Sequence, residues 1–373
     1  MPISRVGATL ALAAVWVAFA GSARPAEAIP LFADEYGVTC QKCHTIVPQL
    51  SKFGYGFMAN GYRIPGVAPG PAFPIAARVN LVDSSEYQGE GPDGAGLPKA
   101  IVDEVELFTA GLLGGRANYF VEQYVVDGGE PGSLRDAWLN ERLTPWESRL
   151  PITLTAGQFA LPLPVDPESL RASYQHYTIY DQTVGNNPFN LFDDKDGGLL
   201  SFGSPLYGTH VQIFAGPGHD QGSTLPTVGT DLMGYGQQVV GAFTLSAYHY
   251  QGQRPDGPAL LDHFQRTGYA LVFNSGRWTS QSLIQTGWDS SCLPNTGCPS
   301  SGGFTQLQYW VSPRLYLLGR YEGTSDTLGG FSRDGLLMLG FRPWHNASFS
   351  IEDVISHTPQ TNNTMNAQLT IGF

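Results

Sequence analysis

The chain has 373 residues, 46 of them glycine, with aromatic residues at 12% and charged residues at only 14%, well under the roughly 25% of an average soluble protein. A chain this long, glycine-rich and poor in charge leans towards β structure with much surface that does not face water. Its formal net charge of −12 excludes a phosphate-binding surface of clustered Lys and Arg, and so nucleic acid as a partner, while leaving cation attraction open.

The start reads Met1-Pro2-Ile3-Ser4-Arg5, then an apolar run from Val6 to about Ala20, then Ala26-Glu27-Ala28 before Ile29. A basic start, a short apolar core and an A-x-A end predict a cleaved secretory leader over 1–28. The apolar run is shorter than the roughly 20 residues a spanning helix needs, and no later stretch has the length, so a helical membrane protein is not expected.

Residues 29–64 form the next unit. Cys40 and Cys43 flank Gln41 and Lys42, and His44 follows at once. In C-x-x-C-H the two thiols form thioether bonds to the vinyl groups of a c-type haem, and the adjacent His supplies the proximal iron ligand. One short turn must bring both sulfurs and the imidazole to one planar macrocycle, which fixes the spacing. A zinc half-site would need a second ligand pair nearby, and a thioredoxin-like dithiol a βαβ setting; neither follows. Met58 is the only methionine between this motif and the body of the chain, so it is either the distal iron ligand or apolar packing. His176, His210, His219, His249, His263, His345 and His357 are scattered, and one of them can reach the iron if the haem sits inside the larger domain.

Residues 65–75, rich in Gly and Pro, read as a linker. Period-two segments then recur over 76–373, at about 76–87, 102–113, 117–127, 134–144, 150–161, 197–204, 208–216, 233–241, 243–251, 265–275, 277–288, 303–312, 314–324, 333–344, 347–357 and 364–373. The last is the clearest: Met365, Ala367, Leu369, Ile371 and Phe373 share one face, and Asn366, Gln368, Thr370 and Gly372 the other. Short connections, such as Gly114-Gly115-Arg116 and Ser312-Pro313, alternate with longer ones, including 162–196, 217–232, 252–264 and 289–302. Short periplasmic turns against long external loops predict an all-β fold, a transmembrane antiparallel β-barrel of about 16 strands, with 14 as the alternative. The pair 233–241 and 243–251 can also read as one long strand, but an even count keeps them separate.

Trp146, Trp278 and Trp344 fall at expected periplasmic turns, as an aromatic girdle requires. Glu104, Glu106, Arg314, Arg320 and Glu322 are expected on lumen faces. The loop from Gly185, Asn186 and Asn187 to Asp193, Asp194, Lys195 and Asp196 reads either as a cation-gathering segment or as a polar external loop. Cys292 and Cys298, in a Gly/Pro/Ser-rich external loop, are expected to form a disulfide in an oxidising compartment.

The stretch from Thr39 through Cys40, Cys43, His44, Thr45, Pro48, Leu50, Phe53, Gly54, Phe57, Asn60, Gly61 and Tyr62 resembles the N-terminus of the fused monohaem cytochrome c–porins, outer-membrane iron-oxidising cytochromes. About 25 residues match closely; the barrel agrees only in architecture. The resemblance implies one covalent haem on Cys40 and Cys43 with His44 as proximal ligand, and assigns no distal ligand. It further implies a bacterial outer-membrane protein passing electrons from an extracellular donor, typically ferrous iron, to a periplasmic acceptor such as a soluble cytochrome c or copper protein. One haem cannot bridge an apolar band about 25 Å tall. The haem segment is therefore expected in the lumen or on its periplasmic side, with the haem drawn towards the outside. A porin for small solutes with a haem-bearing structural or regulatory plug is the alternative, and a periplasmic cytochrome fused to a soluble β domain a further one.

Overall fold

The computed structural model describes residues 31–372 except 65, 71–74, 91–95, 186, 219–228, 256–260, 294–295, 328–329 and 359–360, and leaves out the side chains of 86–90, 96–99, 292–293 and 296. The expected leader and Phe373 lie outside the described residues, as do His219, Asn186 and parts of the 65–75 linker.

Alternation of apolar and polar residues gives each segment two faces, and the chain buries the polar one. Glu106, Arg266, Asp289, Glu322 and Glu352 are buried, while Ile284 and Leu337 are 67% and 69% exposed. A soluble sandwich would bury the opposite set. A closed barrel with lipid outside and a polar lumen inside accounts for the inversion.

The strands are β1 (Ala76–Glu90), β2 (Gly96–Leu113), β3 (Ala117–Asp127), β4 (Glu130–Pro131), β5 (Leu134–Arg142), β6 (Ile152–Phe159), β7 (Lys195–Gly203), β8 (Gly208–Gly216) and β9 (Asp231–Val240), followed by β10 (Phe243–Pro255), β11 (Leu261–Ser275), β12 (Trp278–Leu293), β13 (Thr296–Ser312), β14 (Leu315–Asp326), β15 (Phe331–Trp344), β16 (Ala347–His357) and β17 (Thr361–Gly372). β4 is a two-residue piece at the tip of the β3–β5 hairpin, so sixteen long strands form the wall. Neighbours pair antiparallel throughout, and β1 pairs with both β2 and β17, with Arg78 opposite Glu106 on one side and Gly372 on the other. This closes the sheet and leaves no edge. All sixteen expected strands are present. β9 and β10 are separate because Gly241 takes a left-handed φ of 61° in the turn between them.

One end carries only short turns, including those at Gly114, Gly241, Gly276 and Pro313, and both the start of β1 and the end of β17 lie there. At the other end several loops are shorter than expected, because the hairpins zip further. β12 and β13 still pair at Leu293 and Thr296, so Cys292 and Cys298 sit on extended strands rather than in a 289–302 loop. Cys298 is fully buried and disulfide-bonded; the side chain of Cys292 lies outside the described residues. Trp146, Trp278 and Trp344 are exposed at the short-turn end together with Tyr207 and Phe243, as an aromatic belt at a lipid interface should be.

Two segments fill the lumen. The first comprises three helices, α1 (Leu31–Tyr36), α2 (Cys40–Cys43) and α3 (Lys52–Ala59). The second is the β6–β7 connection, which carries α4 (Thr178–Asp181) and corrects the reading of residues 185–196 as an external loop. Ile179, Tyr180, Phe189 and Leu191 are buried there with Asn187 and Asp194, because these interleaved apolar side chains pull the segment inward against Tyr250, Phe264 and Phe304. Hydrogen bonds strap it to both walls. Arg320 donates to Ser173 Oγ at 2.9 Å and to the Gln175 and His176 carbonyls at 2.9 and 2.8 Å, while Asn187 donates to Asp262 and Asp289 at 2.9 Å each.

Candidate functional site

The single turn of α2 sets Cys40 and Cys43 three residues apart on one helix face. His44 closes the turn, its N–H donating to the Cys40 carbonyl at 2.8 Å. Its Nδ1 lies 2.9 Å from the Pro48 carbonyl oxygen. A carbonyl only accepts, so Nδ1 carries the proton and the Nε2 lone pair is left to bind a metal. Burial, against the opposing pull of that hydrogen bond, brings His44 down to about 4, which keeps the ring neutral as a ligand must be. Burial also pushes the Cys43 thiol up to about 11 and raises that of Cys40. A buried and a half-buried thiol, both held in the protonated form, are poorly suited to thiolate redox chemistry. Both are free, and with the neutral imidazole they are the donor set that a C-x-x-C-H haem site would need.

The segment is folded tightly around this turn. The Ser51 hydroxyl donates to the Lys42 carbonyl at 2.8 Å and accepts from the Gly54 N–H at 3.1 Å, capping α3, and the Ser51 N–H donates to the Cys43 carbonyl at 2.7 Å. α3 thus lies directly on α2. A Cβ at Gly54 would stand 2.0 Å from the Cys43 carbonyl oxygen, so glycine is required there. Gly54→Val is expected to force the helices apart, cost about 1–3 kcal/mol of packing and make residues 31–64 sensitive to proteolysis in the assembled barrel. Unchanged protease resistance would refute that role.

Beside the turn, Tyr36, Phe57 and Tyr62 form a cluster that also takes in Phe32, Phe53, Cys43 and Met58. Phe32 stacks on Tyr62 at 4.4 Å and meets Phe57 edge-on at 5.1 Å. Flat apolar rings around a thiol suit a planar macrocycle. Met58 is half-buried in this cluster, a position that serves either a distal ligand or simple packing. His210 is the buried histidine of the barrel wall, near the short-turn end, with no hydrogen bond to its Nδ1; His249, His263 and His357 are exposed.

The segment enters the lumen from the short-turn end. Arg63 donates to the Gly114 carbonyl at 2.7 Å in the β2–β3 turn, and Arg342 bridges the Thr45 carbonyl at 2.5 Å and the Pro313 carbonyl at 2.6 Å. Ser348 Oγ donates to the Val47 carbonyl at 3.1 Å, and Gln49 Nε2 to Gln308 at 3.2 Å. Ile46 packs on Tyr316, Leu318, Leu336, Met338 and Val354. The C-x-x-C-H turn therefore lies towards the short-turn end, not drawn towards the long-loop end as expected.

Of the expected lumen charges, Glu106, Arg320 and Glu322 are buried inside; Glu106 pairs with Arg78, and Glu104 accepts from Asn80. Arg314 is corrected: it sits exposed in the β13–β14 turn, because the strand begins only at Leu315 and the alternation does not reach back to it. Sequence reasoning missed the lumen acids Glu122, Asp136 and Glu168, which come from separate parts of the chain and share no local motif.

No protein-family model and no curated protein matches the chain. Solved structures do match in fold. An anion-selective porin from Comamonas acidovorans superposes with a TM-score of 0.60 at 11% identity, covering 80% of this chain and 98% of its own. The OmpF of Salmonella typhi, solved in complex with daunomycin, gives 0.57 at 10% identity, covering 80% and 97%. A loop-deletion mutant of OmpT, an outer-membrane protein of Vibrio cholerae, gives 0.56 at 10%, covering 80% and 98%. At such identities the likeness is one of fold alone, and that fold is the outer-membrane porin barrel.

Proposed function

We propose that this chain is an outer-membrane electron carrier of the fused cytochrome c–porin kind, holding one c-type haem on Cys40 and Cys43 with His44 as proximal ligand. The observation that carries the reading is the His44 Nδ1 contact with the Pro48 carbonyl, which frees Nε2 on a C-x-x-C-H turn. When bound, the haem supplies one-electron chemistry. The chain's own residues hold it: α2 presents the thiols, Pro48 fixes the imidazole tautomer, and the Phe32, Phe57 and Tyr62 rings exclude water. Electrons from an extracellular donor, ferrous iron above all, would leave at the short-turn end to a periplasmic cytochrome c or copper protein.

A second reading, a solute porin whose haem segment is a structural or regulatory plug, draws its support from the fold likeness to porins, which speaks for a channel more directly than for electron transfer. Against an open channel stand the two segments bonded across the lumen.

The test offers intact cells a ferrous chelate too large to enter, and follows the reduced-minus-oxidised spectrum of the outer membrane. Haem reduction in the cells, with proteoliposomes that exclude small sugars, is the expected result. A haem that stays oxidised while sugars pass would establish the second reading in its place.

A further inference from the structure

On the lumen side of the wall, Glu122 of β3 and Asp136 of β5 stand opposite each other in register, and Glu168 reaches them from the β6–β7 connection. One carboxylate oxygen of each lies within 4.8 Å of the other two, and Glu122 and Asp136 are 6% and 7% exposed. A fourth carboxylate, Asp194, stands beside Glu168. Asp194 is fully buried, neither of its oxygens receives a hydrogen bond, and its Oδ2 faces the Arg135 Nε at 3.2 Å. That same Nε donates to Glu168 at 2.8 Å, so Asp194 and Glu168 share one side of a single guanidinium. With Lys195 and, on the Glu122 side, Arg78 as the other nearby cations, four carboxylates face three positive charges, and Arg78 is already paired with a fifth carboxylate, Glu106. Like charges brought this close out of water do not all stay ionised unless a further cation joins them.

We propose that Glu122, Asp136 and Glu168, with Asp194 beside them, bind a hard divalent cation inside the lumen. The all-oxygen donor set suits hard ions of the manganese, magnesium and calcium class, and ferrous iron, which follows manganese in affinity for a given site, competes there. The spacing agrees, since oxygens bound to such ions at about 2.0–2.6 Å stand roughly 3–5 Å apart. The site adjoins the haem-type segment: Tyr62 feels the Asp136 and Glu122 charges and stacks on Trp138 at 6.2 Å and on Phe32 at 4.4 Å, within the cluster that contains Cys43. The cation site stands on the carboxylates alone; only the identification of the ion with ferrous iron rests on the electron-transfer reading.

The experiment titrates the full chain, purified in detergent, with Mn2+ and follows the loss of the free-ion EPR signal. One saturable Mn2+ per chain is expected, displaced by Fe2+ under anaerobic conditions. In E122Q/D136N, affinity should fall by about 100-fold or more, at or beyond the top of the range seen when mere supporting partners of a metal site are removed. The milder E168Q should weaken binding, and E104Q, a lumen acid outside the group, should not. C43A, which loses covalent haem on the electron-transfer reading, should keep its Mn2+, so failure of either idea leaves the other testable. Absence of saturable binding by the wild-type chain, or unchanged binding in both E168Q and E122Q/D136N, overturns the site.

Discussion

Cys43→Ala is expected to abolish stable haem retention while leaving the barrel assembled in the outer membrane. Cys43 lies on the lumen segment, where its carbonyl accepts the Ser51 N–H and its side chain meets Phe57 and Tyr62; no wall strand takes its register from it. Alanine keeps the backbone bond and removes one thioether anchor. Haem staining of denatured outer-membrane protein should therefore fall by at least about tenfold, because only covalent attachment survives denaturation. The heat-dependent gel mobility of the folded barrel should stay unchanged, which separates lost haem from lost fold. Equal staining in the variant would remove the basis for the electron-transfer reading.

Arg320→Ala should have the second large effect, this time on the lumen. The guanidinium is buried, donates to Ser173, Gln175 and His176 of the inserted segment, and pairs with Glu322 at 3.1 Å. Removing it leaves the Glu322 carboxylate and two carbonyls without their partner, and breaking a buried pair of this kind costs about 3–5 kcal/mol. The wall has its own ladder of backbone bonds, so the loss should fall on the inserted segment. Planar-bilayer conductance is expected to rise and protease to cut within 162–194. Arg320→Lys, which restores charge but not the three-donor fork, should recover only part of the loss. A variant with unchanged conductance and unchanged cleavage would show that the segment is held elsewhere.

The wall was legible because barrel strands carry a period of two from end to end, and lipid on one side with polar lumen on the other repeats that period sixteen times. Met365 and Asn366, adjacent in sequence, are 56% and 3% exposed. The C-x-x-C-H turn was legible because its residues are consecutive. What sequence did not reveal is what faces inward across the lumen. Asp136 and Glu168 are brought together by the path of the β6–β7 connection, and its residues 185–196 look polar and external until Phe189 and Leu191 are seen to interleave with wall aromatics. The alternation also misled once, at Arg314, where the turn holds on and the strand starts one residue later, at Leu315.

The segment at the mouth of the lumen touches strands from both ends of the chain. Tyr62 stacks on Trp138 and Phe120, which belong to the first few strands, while Thr45, Val47 and Gln49 are bonded to Arg342, Ser348 and Gln308 among the last. The seam where β1 meets β17 runs between these two groups. The N-terminal helices thus act as a clasp across the joint by which the cylinder closes. In an assembly that proceeds strand by strand, the clasp can fasten only when the last hairpin arrives, and once fastened it holds the seam from inside. Unzipping β1 from β17 then requires the clasp to let go first, so the segment that carries the C-x-x-C-H turn also sets how readily the barrel reopens.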